Sequence, residues 1–254
     1  MTPLSVVVIT FNESAHIARC LESVRPIADE VVVLDSGSTD DTVAIARSFG
    51  ATIHTRPFEG YIEQKNHALG LATHPFILSL DADEALDTSL AQSILNEKAN
   101  PAFRAYRMNR CTNYCGRFIK HGSWYPDTKI RLFDKRYARW GGVNPHDKII
   151  LDQEVKTGWL QGDLLHYSYP TLESHIIQNN RFSSIAALSY FERGKKPGYG
   201  KMIFSPIWAF LQSYLFRRGF LDGFLGFVIA GNIAHATFMK YYKLKALYKG
   251  ISIK

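Results

Sequence analysis

Cysteine is scarce in this chain of 254 residues, with Cys20, Cys111 and Cys115 making up the whole complement. A set this odd and sparse excludes a disulfide framework and points to a reducing compartment. Cys111 and Cys115 have no second pair of ligands nearby, so the spacing rules for zinc are not met. The N-terminus, "MTPLSVVVITFNES", has no basic segment ahead of an apolar one, and no secretory signal is expected. Long uncharged runs are missing too. The longest in the apolar tail, Gly223 to Met239, falls short of a bilayer span and contains Asn232 and His235. No internal repeat or low-complexity tract occurs.

Acidic residues are nearly absent from the C-terminal quarter. Residues 1–190 carry 19 Lys or Arg against 21 Asp or Glu, whereas residues 191–254 carry 11 against 2. The formal net charge of +7 therefore belongs to the tail. A basic tail suits either nucleic acid or an anionic membrane. The composition as a whole, 46% hydrophobic and 21% charged, is that of a globular chain able to bury a core.

The first hundred residues alternate between two patterns. "SVVVIT" (5–10), "EVVVLD" (30–35), "ATIHT" (51–55) and "FILSL" (76–80) are short apolar runs, as strands buried on both faces require. Helical patterns separate them. Ile17, Cys20, Leu21 and Val24 recur at helical spacing, "STDDTVAIARSFG" has a capped start and stops at Gly50, and "IEQKNHALGLA" supplies a third helix. Such alternation predicts an α/β fold with a mostly parallel central sheet flanked by helices. Ligands bind at the carboxyl ends of the strands in these sheets. Those ends carry Thr10 and Asn12, then Asp35, then Asp81 and Asp83. From about residue 102 the runs "FRAYRMNR" and "KIRLFDK" alternate in polarity, which predicts antiparallel strands. "WGGVNPHDKI" (140–149) reads as a loop, and "GKKPGYG" (194–200) as a flexible basic linker.

Asp81 and Asp83 end a buried strand only two positions apart, and like charges so placed need a positive partner. A divalent cation such as magnesium or manganese is one, since both favour oxygen ligands and leave positions open for phosphate oxygens. The other reading makes them the acidic first turn of the helix that follows.

"VVVITFNES", "EVVVLDSGSTDDT", "QKN" and "LSLDADE", in this order and spacing, resemble the glycosyltransferase family 2 nucleotide-sugar transferases of GT-A fold over residues 4 to about 90. "GSWYPDTKIRLFDK", "GGVNPHDKI" and "LLHYSYP" resemble the branch that includes lipopolysaccharide core β-glucosyltransferases. The resemblance implies a role for each matching position. Thr10, Asn12 and Glu13 hold the nucleotide base and ribose, and Asp35 accepts the N–H of the base, typically uracil. Lys65 lies near the base and phosphates. Asp81 approaches the ribose, and Asp83 binds a manganese or magnesium ion bridging the diphosphate, with Asp81 and His166 as further members of the metal set. That ion would stabilise the departing nucleoside diphosphate as a Lewis acid.

An inverting transfer also needs a base to take the acceptor proton. Relatives place a carboxylate in a loop after the antiparallel segment, which implies Asp147. They more often have His-Glu there, and the shorter Asp sets the carboxylate back by ~1.5 Å. His146 is the second choice for the base. Trp124 and Asp127 suit an acceptor sugar, the ring by stacking and the acid by bonding its hydroxyls. Plainer readings stand beside several of these: a helix cap for Asp35, a solvated lysine for Lys65, a loop turn for Asp147 and His146, an ordinary half-buried histidine for His166, core packing for Trp124.

In the tail, Phe, Trp and Tyr alternate with Arg217, Arg218 and the lysines from Lys240 onward. This suits helices lying in a membrane interface better than nucleic-acid binding, which needs far less aliphatic surface. Packing or a dimer contact, and a true span, are the other readings. The expectation is therefore a GT-A domain over residues 1–193, with a nucleotide part (1–100) and an acceptor part (101–193), and a basic, aromatic helical region over 201–254. Its activity would be inverting, metal-dependent transfer of a hexose, first glucose, from a UDP-sugar to a lipopolysaccharide-core or other lipid-linked glycan. Transfer to polyprenyl phosphate or surface polysaccharide, and a noncatalytic sugar-nucleotide-binding scaffold, are the rivals. The expected place is cytoplasmic, peripheral to the inner face of the cytoplasmic membrane.

Overall fold

The structure is a computed structural model that describes residues 1–143, 146–196 and 198–253, without the side chains of Val143 and His146. The apolar runs form β1 (Leu4–Thr10), β2 (Glu30–Asp35), β3 (Thr52–Thr55) and β4 (Phe76–Asp81). Between them lie α1 (Ile17–Val24), α2 (Thr42–Ser48) and α3 (Tyr61–Leu71). β1 runs parallel to β2 and β4, and β2 runs parallel to β3. Their unbroken hydrophobicity has a direct cause, because alternate residues feed two different cores. Leu4, Val6 and Val8 pack with Ile17, Leu21 and Val24 of α1 and with Leu90 and Ile94 of α4 (Thr88–Ala99). Val7, Leu34 and Ile77 pack instead with Ala68 and Leu69 of α3 and with Trp140.

The remaining strands are β5 (Glu84–Leu86), β6 (Ala105–Tyr114), β7 (Arg117–Phe118), β8 (Asp127–Asp134), β9 (Ala138–Val143), β10 (His146–Leu151) and β11 (Thr157–Tyr169). The main sheet has the order β3-β2-β1-β4-β8-β6-β11-β5. It is parallel from β3 to β4, and the pairings β4–β8, β8–β6 and β11–β5 are antiparallel. Register levels the carboxyl ends of the parallel strands, with Thr10 opposite Asp35 and Ile9 opposite Asp81.

Two local expectations resolve differently from the sequence pattern. Residues 140–149, expected as a loop, lie mostly in the antiparallel hairpin β9–β10, with Gly141 opposite Lys148 and Gly142 opposite Asp147. Glycine serves close packing there, since a Cβ on Gly141 would lie 2.8 Å from Cγ1 of Ile150. The acidic run before α4 is also divided between tasks. Asp87 alone caps the helix, accepting the Leu90 N–H at 2.7 Å, which leaves Asp81 and Asp83 outside the first turn.

Packing separates two compact units: residues 1–110 with 127–167, and residues 111–126 with 168–254. Composition changes elsewhere, near 194–200. The second unit contains α5 (Leu172–Glu192), α6 (Tyr199–Leu211) and α7 (Gly223–Tyr248). Thr171 and Ser174 form a capping box at the start of α5. Tyr114, Ile119 and Ile229 make its small core. Asp222, just before α7, accepts the His121 N–H at 2.9 Å and contacts its Nδ1 at 3.0 Å. Lys243 of α7 sits buried against α5, donating to the Asn180 carbonyl and to the Ser183 and Ser184 hydroxyls at 2.7–2.8 Å. None of the three cysteines is in a disulfide.

Valine at position 141 should press on Ile150 and part the hairpin. Gly141→Val is expected to cost about 1–3 kcal/mol in urea unfolding.

Candidate active site

Four strand ends and one helix converge in the first unit. The loop after β1 is laced to the loop after β2. Asn12, in the left-handed region at φ 54°, accepts the Thr39 N–H at 2.8 Å and donates its own N–H to the Ser38 hydroxyl at 2.8 Å. The Glu13 N–H donates to the Thr42 hydroxyl at 2.8 Å. Thr10 is buried, and its hydroxyl has no partner among the described residues. Asp35 is buried and accepts the Gly37 and Ser38 N–H groups at 2.9 and 3.0 Å, together with the Ser38 hydroxyl. Its first duty is thus to hold the turn that follows it.

Helix α3 contributes three consecutive side chains to three different elements. Gln64, fully buried, donates its amide to the Ser36 hydroxyl at 2.9 Å and to the Arg56 carbonyl at 3.1 Å, while its Oε1 has no partner. Lys65 places Nζ 3.0 Å from Asp81 and 2.8 Å from Asp147, above the Trp140 ring at 4.3 Å. Asn66 pairs with the Trp140 backbone through both its amide groups, at 2.9 and 3.0 Å. Only about 100° separates successive side chains on a helix, so three neighbours can splay onto β2, β4 and β9.

Lys65 is 3% exposed, Arg131 is 4% exposed and Glu84 is fully buried. Arg131 bonds Glu84 at 2.7 Å and reaches Asp81 at 3.3 Å. Arg110 approaches Glu84 at 3.5 Å and pairs with Asp127 at 2.9 Å, and Lys129 also holds Asp127 at 2.8 Å. Burial alone would raise the Asp81 carboxyl, yet Lys65 and Arg131 hold it well below the ordinary carboxylate range. Asp81 therefore already has protein cations as its positive partners.

Asp83 faces a different group. Its carboxylate is 3.2 Å from Nε2 of His166. The β11–β5 register, with His166 opposite Glu84, brings that ring beside the acid. Glu13 completes this corner. Burial raises its carboxyl above the ordinary value, a 2.7 Å contact with His16 opposes this, and the charge of Asp83 reinforces it.

No cluster of three or more His, Cys, Asp or Glu side chains able to hold a metal exists among the described residues. The chemistry of the Asp83–His166 pair nevertheless fits a manganese or magnesium ion. Adjacent ligands of an octahedral ion bound at about 2.0–2.1 Å stand roughly 3 Å apart, and such ions take their other ligands from water and phosphate. Asp81, expected with them, is occupied by Lys65 and Arg131.

The residues expected for the acceptor fall in separate units. Asp127 is in the first, bound by Arg110 and Lys129. Trp124 is in the second, within an aromatic cluster: Tyr169 stacks on it at 5.1 Å, and Tyr114 and His175 cross it at 5.4 and 5.1 Å. Burial lowers His175 to about 4, so this cluster is held by a neutral imidazole at ordinary pH. The His146 side chain lies outside the described residues. Gln64, Asn66, Glu84, Arg131 and Trp140 were not singled out by sequence pattern. "QKN" contained the first two, and nothing in an alternating strand marks Arg131 as buried.

Breaking a buried ion pair by removing one partner costs about 3–5 kcal/mol, and Lys65→Met should lose that much in urea unfolding near neutral pH. The pH dependence has a definite sign. Because the folded Asp81 pKa is depressed, its contribution is fully present above the unfolded value of about 4 and is lost as pH falls below it. Lys65→Met should flatten that acid limb.

Comparison with known proteins follows the same outline. Residues 5–149 match the family Glycosyl transferase family 2. An uncharacterized glycosyltransferase of Rickettsia prowazekii (strain Madrid E) is 34% identical, over 97% of this chain and 88% of its own. The lipopolysaccharide core biosynthesis glycosyltransferase LpsC of Rhizobium meliloti (strain 1021) is 32% identical, over 96% of this chain and 94% of its own. Among solved structures, glucosyl-3-phosphoglycerate synthase from Mycobacterium tuberculosis in complex with Mn2+, UDP and glucosyl-3-phosphoglycerate overlaps 44% of each chain at 24% identity and a TM-score of 0.37, too little to bear on ligands. By the family match over residues 5–149 and by these curated relatives, the chain, with its mixed, helix-flanked sheet, belongs to glycosyltransferase family 2 and is a glycosyltransferase.

Proposed function

We propose that this glycosyltransferase inverts the anomeric centre as it moves a hexose, first glucose, from a UDP-sugar to a lipopolysaccharide-core or other lipid-linked glycan. The observation that carries the reading is the Lys65 ammonium joining Asp81, on the donor side, to Asp147 on the β9–β10 hairpin. The acceptor hydroxyl attacks the anomeric carbon, its proton passes to Asp147, and the sugar–phosphate bond breaks with its electron pair leaving on the nucleoside diphosphate. Asp147 is bonded to Lys65 before that step. An anionic diphosphate competes for the ammonium and frees the carboxylate for the hydroxyl.

Asp83 and His166 would hold a divalent ion, which when bound supplies Lewis-acid stabilisation to the leaving diphosphate. Asp35 receives three donor groups from its own turn. A carboxylate has about four lone-pair sites, which leaves one for a uracil N–H. Thr10, Asn12 and Glu13 frame the base and ribose, with Asn12 and Glu13 tied to the loop after β2.

The acceptor class rests on the LpsC likeness and on the second unit. Helix α6 has no buried residue, and Ile203, Phe204, Ile207 and Trp208 are all more than half exposed. Phe216, Leu221 and Phe224 extend the apolar surface, with Arg217 and Arg218 exposed beside them. The uncharged run Gly223–Met239, expected to fall short of a span, lies within the helical stretch Gly219–Tyr248, which is long and apolar enough to cross a bilayer, with an 18-residue window at mean hydropathy 1.3. The contact of Asn179 on the polar helix α5 with the Asn232 carbonyl, mid-way along α7, favours helices lying on the membrane, since a spanning α7 would carry that polar contact into hydrocarbon. We therefore place the enzyme at the anionic inner face of the cytoplasmic membrane.

Titration calorimetry with UDP tests the donor site. Asp83→Ala should abolish the manganese-dependent part of UDP binding, and manganese-dependent binding unchanged in that variant removes Asp83 from the ion. Asp147→Asn should bind UDP at least as tightly as the native protein does, since the competing carboxylate is gone, while kcat falls by about 10²–10⁴-fold, the usual worth of a general base. Full activity in Asp147→Asn would assign the base elsewhere.

A further inference from the structure

A cavity of about 360 Å³ lies wholly within the helical unit, lined by Tyr190, Lys195, Lys196, Lys201, Tyr241 and Leu244. Its size is at the lower end of small-ligand sites. Its charge is one-sided. None of the three lining lysines has a carboxylate within ion-pairing distance among the described residues, and neither has Lys240. The ammonium groups are nonetheless placed. Lys195 lies 4.6 Å from the centre of the Tyr190 ring, and Lys240 lies 5.2 Å from Tyr190 and 4.6 Å from Tyr241. The Tyr190 face holds Lys195 at the cavity wall without neutralising it, and Lys196 lies 5.9 Å from the Tyr248 ring centre. Lys245 adds a further cation on the same helix, 3.0 Å from the Tyr199 ring centre.

Lys195, Lys196 and Lys201 are exposed, so solvent screens much of their repulsion, and an anion entering the cavity relieves what remains. Three ammonium donors with no carboxylate partner among the described residues match a phosphate, which offers acceptor oxygens and, as a monoester, nearly two negative charges at neutral pH. Helix α6, which carries Lys201, also carries the exposed Phe204 and Trp208. An apolar helix beside a basic cavity with room for a headgroup is suited to an amphiphile whose headgroup ends in phosphate.

We propose that the Tyr190–Lys195–Lys196–Lys201–Tyr241 cavity binds the phosphomonoester headgroup of a membrane amphiphile. This rests on the membrane-surface reading above and goes beyond it, because a diffuse basic surface answers only to total charge. A cavity for a phosphomonoester distinguishes it from a phosphodiester at the same surface charge.

The test uses the full chain and two vesicle preparations matched in surface potential, phosphatidylcholine with phosphatidic acid and phosphatidylcholine with phosphatidylglycerol. Sedimentation should show about tenfold tighter binding to the phosphatidic acid vesicles, the scale expected of charge-assisted contacts to the extra oxygen charge. The variant Lys195→Gln/Lys196→Gln/Lys201→Gln should bind both preparations equally. Equal binding by the native chain, or a preference that survives the triple substitution, overturns the cavity while leaving membrane attachment intact. Binding to neither preparation at low salt overturns the membrane reading itself, and the cavity proposal with it. Calorimetric binding of soluble glycerol 3-phosphate as tight as that of the vesicles reassigns the cavity to a soluble phosphate ester.

Discussion

One ammonium group organises the first unit. Lys65 sits between two carboxylates from distant parts of the chain, Asp81 at the end of β4 and Asp147 on the β10 arm of a hairpin. At ~3 Å and an effective dielectric of about 20, each attraction is on the order of 5 kcal/mol before the cost of desolvation. Without it two acids would face each other over the Trp140 ring. With it, the indole face becomes a favourable floor for the cation. The same lysine that stabilises the folded sheet therefore also restrains the Asp147 carboxylate.

The neighbours of Lys65 extend that constraint. Gln64 fixes the turn after β2 and Asn66 fixes the backbone of β9, so one turn of α3 sets the spacing between that turn and the hairpin. Arg131 and Glu84 carry it across the sheet to Arg110 and Asp127. The charges form a chain in which nearly every member has a partner of opposite sign, and this is what allows so many to be buried. The helical unit solves a different problem. Lys243 is buried with neutral acceptors, whereas the lysines of the outer face and the aromatic residues of α6 face outward.

Much of the strand and helix pattern was legible in order along the chain. β1, β2 and β4 are continuous apolar runs because each is covered on both faces, and α1 keeps its four buried residues at helical spacing. The hairpin at 138–151 was not legible. Its glycines and proline carry the composition of a loop, and only the approach of Ile150 to Gly141 reveals why glycine is there. The acid pair was legible as a pair, but its division was not. Asp81 turns to Lys65 and Arg131, and Asp83 to His166, because β4 ends between them and β11 lies along β5. Trp124, read as a stacking surface for sugar, has Tyr169 on it already.

The sequence by itself determined what is local: which runs become strands or helices, where polar residues gather at strand ends, and which quarter of the chain bears the excess charge. Each of these depends on neighbours within one or two turns, so periodicity and composition carry it. Tertiary structure decided which charges meet. Lys65 and Asp147 are 82 positions apart, and no pattern along the chain encodes their contact. It arises because a parallel sheet brings its carboxyl ends level and a hairpin folds over them, and electrostatic pairing depends on distance in space rather than along the chain.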